Sequence, residues 1–197
     1  MNFAGRIHEK INMNHPCFIF IFLLMASCGS SRGDKQDSDA GSGKADEVSV
    51  GIDIGDRAPE LVFPSPEGVK IALSSLRGKM VLVDFWAAWC SPCRVENPRL
   101  VRIYKKYRDK EFVNGCGFTV YGVSLDSKRE DWVRAIENDG LIWDSHVSDL
   151  KGGKSVPAAM YGVMAIPMNF LLDGDGLIVA KNLRGEYLEN KLKELAR

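Results

Sequence analysis

Cys90 and Cys93, three residues apart, are the side chains best suited to chemistry. A thiol pair at that spacing can close a small disulfide and open it again, which is two-electron redox chemistry. The same spacing also supplies half of a zinc site, or an inert bridge. A structural zinc takes four Cys or His ligands, but no second C-x-x-C is present and His8, His15 and His146 are scattered. An inert bridge needs no special setting, and this pair has one. The apolar run Met80-Val81-Leu82-Val83 ahead of Asp84, Phe85 and Trp86 predicts a strand. Beyond the pair, Leu100, Ile103, Tyr104 and Tyr107 recur at helical spacing. Cys90 is therefore expected just ahead of a helix, where unpaired N–H groups and the helix dipole favour thiolate over thiol. Pro92 suits the first helical turn, where its missing donor costs nothing. Cys90 should sit at the exposed edge of the turn and Cys93 should be more shielded.

Asp84 is the second chemical candidate. It interrupts a strand that is otherwise apolar on both faces, where an unpaired carboxylate would cost several kcal/mol. A buried acid with a raised pKa can take a proton from Cys93; the plainer alternative is a carboxylate that faces solvent or pairs with Lys79. Trp86 and Trp89 suit core and rim packing, Pro98 should kink the helix, and Cys116 reads as a small buried residue rather than a reactive thiol.

The stretch Val83-Asp84-Phe85-Trp86-Ala87-Ala88-Trp89-Cys90-Ser91-Pro92-Cys93-Arg94 resembles the thioredoxin active site. Extended through Glu96 and Pro98, it is similar to the TlpA/ResA-type extracytoplasmic thioredoxin-like proteins and their AhpC/TSA relatives. The resemblance runs from about Gly55 to the C-terminus. It implies an α/β thioredoxin fold: a central mixed sheet flanked by helices, with an N-terminal β-hairpin extension and a central insertion. It further implies that Cys90 is the nucleophile, Cys93 the resolving thiol and Asp84 the buried acid. Ile166-Pro167 matches the family's cis-proline loop, which with Trp89, Ser91 and Pro92 would form the substrate-binding surface. Glu96 matches a family acid and is a candidate proton relay. Ser91 in place of Gly and Met168 in place of Thr are departures that touch the redox pair and the substrate groove.

The elements that must position these residues follow in order. Leu61-Val62-Phe63 and Val69-Lys70-Ile71 flank a Pro/Gly turn and predict a hairpin. Phe118–Leu125 predicts a second strand, parallel to the first across a right-handed crossover. Ser127 with Glu130 reads as a capping box for a helix ending near Gly140. Ile142-Trp143 suggests a short buried strand, 151–154 a loop and Ser155–Tyr161 a short helix. Asn169–Leu172 and Leu177–Ala180 around Asp173-Gly174-Asp175-Gly176 predict a hairpin, and Leu188, Leu192 and Leu195 stripe a final helix.

The first 27 residues read as a signal peptide. Arg6 and Lys10 precede an apolar run of about ten residues, Cys17 to Ala26, too short for the roughly twenty that a span requires. The junction Leu24-Met25-Ala26-Ser27-Cys28-Gly29 resembles a bacterial lipobox and implies lipidation of Cys28, against the plainer alternative of ordinary signal cleavage nearby. Residues 28–50, rich in Gly, Ser, Asp and Lys, should form a flexible tether ahead of the domain at 51–197. The 26 basic and 26 acidic residues balance, so no nucleic-acid footprint is present.

By resemblance the chain is expected to be a thiol–disulfide oxidoreductase, lipid-anchored in the bacterial cell envelope and facing the periplasm. It would reduce protein disulfides there, be recharged by a membrane thiol reductase, and need no metal or cofactor beyond its own disulfide. One alternative is a thiol peroxidase of the AhpC/TSA type, but Ala87 stands where the activating Thr of those enzymes would be. Another is a Sco-type copper metallochaperone, for which the cysteine spacing is one residue short and His146 the only candidate distal histidine.

Overall fold

The structure, a computed structural model, describes residues 48–197. The expected signal peptide, Cys28 and the tether as far as residue 47 lie outside the described residues. Strand β3 (Met80–Trp86) is buried at all its positions, as a strand covered on both faces must be. It is the centre of a five-stranded sheet of order β7-β6-β3-β8-β9. Helix α1 (Ser91–Tyr107) connects β3 to β6 (Phe118–Ser124), which runs parallel to it; β8 (Met168–Leu172) lies antiparallel on the other side and pairs with β9 (Ile178–Lys181). Parallel neighbours need such a crossover, so the sheet is mixed and thioredoxin-like, as the sequence predicts.

The apolar stripe of α1 packs Leu100, Ile103 and Tyr107 into the core. The C-terminal helix α4 (Glu186–Leu195) buries Leu188 and Leu192. Side chains alternate along a strand, so Phe85 faces away from Asp84; its ring meets Tyr161 at 5.4 Å, and Tyr161 meets Phe170 at 5.1 Å. On that side the Tyr121 hydroxyl donates to the Ile71 carbonyl at 2.9 Å and Tyr161 to Pro59 at 2.6 Å. Those bonds fasten the N-terminal hairpin, β1 (Val62–Pro64) with β2 (Lys70–Ala72), to the sheet. A two-residue pair, β4 (Glu111–Phe112) with β5 (Gly115–Cys116), follows α1. Among the described residues no helix is long and apolar enough to cross a membrane.

The insertion departs from expectation in three places. Helix α2 (Arg129–Asp139) begins at Lys128 with no side-chain cap, so Ser127 does not close a capping box. Glu130 and Asp131 in the first turn offset the unpaired N–H groups by charge instead. Its other end is as predicted, with Gly140 left-handed at φ 62°. The strand that follows is β7 (His146–Ser148), parallel to β6, rather than Ile142-Trp143. Residues 152–154 form a turn of 3-10 helix rather than a plain loop, and Ser155 caps α3 (Val156–Met160).

Candidate redox site

Cys90 is the N-cap of α1, and its Sγ accepts from the Cys93 N–H at 3.3 Å. The two sulfurs are joined in a disulfide, with 5.3 Å between their Cα atoms. Ser91 and Pro92 between them are exposed, and Pro92 lies in the first turn. Cys90 is not at an exposed edge. It is 4% accessible and Cys93 1%. What separates the two sulfurs is their surroundings. Cys93 lines a narrow cleft with Asp84, Glu96, Pro167, Asn169 and Arg184, and Cys90 does not.

That cleft, about 10 Å³ in volume, has room for about one water molecule. Asp84 is 8% exposed at its floor. Burial pushes its carboxyl up to about 7, and the charge of Glu96 adds to this, while Asn169 and Arg184 pull the other way. Asp84 therefore does not face solvent. Glu96, half-buried, accepts from the Gly185 N–H at 2.6 Å and stands 3.6 Å from Arg99. It thus ties α1 to the N-cap of α4.

The bond between Ile166 and Pro167 is cis, and both residues are half-buried beside the cleft. Trp89, next to Cys90 in sequence, is 64% exposed and Met164, three residues before Pro167, is 95% exposed. Trp86, by contrast, is buried in the core. His146 lies in edge strand β7, buried and stacked on Trp143. It is not among the residues that line the Cys93 cleft.

Several supporting residues escape the sequence reading. Arg184 donates to the Pro167 carbonyl and so braces the cis-proline loop beside Asp84. Asn169, opposite Asp84 in register, exchanges two hydrogen bonds with the Leu183 backbone, at 2.7 and 2.8 Å. A polar residue inside the apolar run Asn169–Leu172 is the same kind of signal that singled out Asp84. The turn before Cys90 is held through Ala88. Buried Asp126 accepts its N–H at 2.9 Å, and Arg94 donates to its carbonyl at 3.1 Å. Arg94 in turn makes a two-pronged ion pair with Asp139 at 2.5 and 2.7 Å, and Asn97 donates to the same carboxylate at 2.7 Å. These partners lie far apart in sequence and carry no local signature.

The arrangement can carry out dithiol–disulfide exchange: a cysteine that caps a helix start, a second one in its first turn, and a buried acid lining the same cleft as the second. Comparison with known proteins agrees. The sequence model of the AhpC/TSA family matches residues 54–181. The thiol-disulfide oxidoreductase ResA of Bacillus thuringiensis subsp. konkukian is 34% identical over 145 residues, covering 73% of this chain and 76% of that protein. The thioredoxin-like protein YneN of Bacillus subtilis is 36% identical over 129 residues, covering 66% and 71%. Among solved structures, the C-terminal domain of a thiol-disulfide oxidoreductase from Bacteroides thetaiotaomicron superposes with a TM-score of 0.66. It shares 38% identity, over 73% of this chain and 96% of that one. A thiol:disulfide interchange protein DsbE from Chlorobium tepidum gives a TM-score of 0.61 at 30% identity, over 73% and 94%. The chain belongs to the AhpC/TSA family, in its TlpA/ResA-type thioredoxin-like branch, and is a thiol–disulfide oxidoreductase.

Proposed function

We propose that the protein reduces disulfides of other proteins on the outer side of a bacterial membrane, tethered there by lipid on Cys28. The observation that carries the reductive reading is the cleft joining Cys93, Asp84 and the cis-Pro167 loop. In the reduced enzyme the Cys90 thiolate attacks one sulfur of a partner's disulfide. A mixed disulfide forms and the partner's first thiolate leaves. Asp84 takes the Cys93 proton, and the Cys93 sulfur attacks Cys90. The partner's second thiolate leaves and the Cys90–Cys93 bond closes, so two electrons have passed to the partner. Trp89, Ser91, Pro92 and Ile166 supply the surface against which the partner's chain lies, and Glu96 relays the proton from the cleft. A membrane thiol reductase restores the dithiol.

Trapping tests the division of labour. Cys93→Ser should accumulate mixed disulfides with envelope proteins and Cys90→Ser should not; equal trapping by both variants, or by neither, rejects it. The tether is tested separately. Mass spectrometry of the mature protein from native membranes should find acyl groups on residue 28, and an unmodified N-terminus elsewhere removes that part of the proposal.

A further inference from the structure

Among the described residues, four buried side-chain nitrogens have no hydrogen-bond partner: Nε1 of Trp86, Trp132 and Trp143, and Nδ1 of His146. Three of them converge. A Cβ placed on Gly122 would stand 3.4 Å from His146 Nδ1, 3.4 Å from Trp143 Nε1 and 3.5 Å from Trp86 Nε1. Gly122 lies in β6 between Asp84 of β3 and His146 of β7, in register with both. The spot is closed over by rings: Trp143 stacks on His146 at 5.5 Å, and Tyr104 of α1 meets Trp143 at 5.7 Å.

The chemistry of the three nitrogens selects the guest. An indole Nε1 only donates. His146 Nε2 lies 3.3 Å from the Leu141 carbonyl, so that nitrogen carries the proton and Nδ1 presents a lone pair. Burial holds the imidazole down at about 4, so it stays neutral. Two donors and one acceptor thus lie around one point, each within 3.5 Å of it. An anion would meet the lone pair, a cation would meet two N–H groups, and a methyl group would satisfy none of them. Buried polar groups arranged in this way are what ordered internal water serves.

We propose that the face of Gly122 is a built site for one buried water molecule, which accepts from Trp86 and Trp143 and donates to His146. The water joins the end of β3, four residues ahead of Cys90, to the inserted strand β7. Glycine is required at 122 because any side chain would occupy the site. The backbone there lies outside the left-handed region, and a Cβ would make only ordinary contacts, so Gly122→Ala is sterically permitted and the two outcomes have opposite signs. If the spot holds water, alanine expels it and strands two indole donors, and the unfolding equilibrium constant rises by about ten- to a hundredfold. If the spot is a dry void, alanine fills it and stiffens the unfolded chain, and the constant falls by about two- to fivefold.

Nuclear magnetic resonance on 15N-labelled protein supplies the direct readout. The indole protons of Trp86 and Trp143 should both show dipolar contact with one long-lived water, of the sign that separates contact from chemical exchange. The contact should vanish in Gly122→Ala. Lack of that contact at either indole, its survival in the alanine variant, or an alanine variant more stable than the parent overturns the proposal.

Discussion

Asp84→Asn keeps the shape of the side chain and removes its titration. Burial raises the Asp84 carboxyl from 3.8 to about 7, and each unit is worth about 1.4 kcal/mol. The ionised form therefore costs the oxidised native state on the order of 4 kcal/mol, a large share of the roughly 5–15 kcal/mol that holds a domain together. The sign follows from proton counting. Between about pH 4 and pH 7 the folded chain keeps a proton that the unfolded chain has released, so stability falls as pH rises through that window and is level above it. Guanidinium unfolding of the oxidised parent and variant at pH 4 and pH 8 isolates the effect, because every other group is shared. Any fixed cost of burying the extra amide donors also cancels in the comparison. The variant's advantage should grow by about 4 kcal/mol from pH 4 to pH 8. A difference that stays level within about 1 kcal/mol refutes the buried-acid argument. The same variant should lose turnover most near neutral pH and less in alkali, where Cys93 ionises unaided.

Asp139→Ala should destabilise the protein by about 1–3 kcal/mol, since it strands Arg94 and Asn97 together. Chemical denaturation reads the loss, and a change under about 0.5 kcal/mol would place the clamp among ordinary surface pairs. The reduction potential should lie nearer about −270 mV than the roughly −120 mV of a strong oxidant such as DsbA. Among the described residues, the group that reaches Cys90 Sγ is the Cys93 N–H of the helix end, while the Arg94 charge is engaged by Asp139. Equilibration against dithiothreitol measures the potential, and a value near −120 mV would falsify the reductive direction.

The strand, the two-cysteine turn and the amphipathic helix after it are legible because each has a local cause: β-branched residues, a proline in a first turn, a 3.6-residue stripe. Burial of Asp84 is legible as a lone charge in an apolar run. The insertion resists reading because β7 is a three-residue edge strand in which two of the buried residues, His146 and Ser148, are polar. Ser148 is satisfied by the Ser124 carbonyl at 2.8 Å, a partner that sequence cannot reveal, while the apolar Ile142-Trp143 draws attention without pairing. The Ser127 motif fails because helix α2 starts beyond it, with charge in its first turn doing the work of a cap. Arg184, Asp126 and Asp139 are ordinary surface-type residues until folding brings them to the cis-proline loop, Ala88 and Arg94.

The bond from Glu96 to the Gly185 N–H ties the cleft to the N-cap of the last helix of the chain. Leu183, Arg184 and Leu188, which enclose the Asp84 cleft, are made long after Cys90 and Cys93. A chain emerging N-terminus first therefore presents both cysteines to oxidants before the acid beneath them is enclosed. A protein truncated before α4 should still close its disulfide yet leave Asp84 hydrated, an ordinary carboxylate. Redox competence would then arrive in two instalments, the sulfur bond first and the proton acceptor only when the last helix docks.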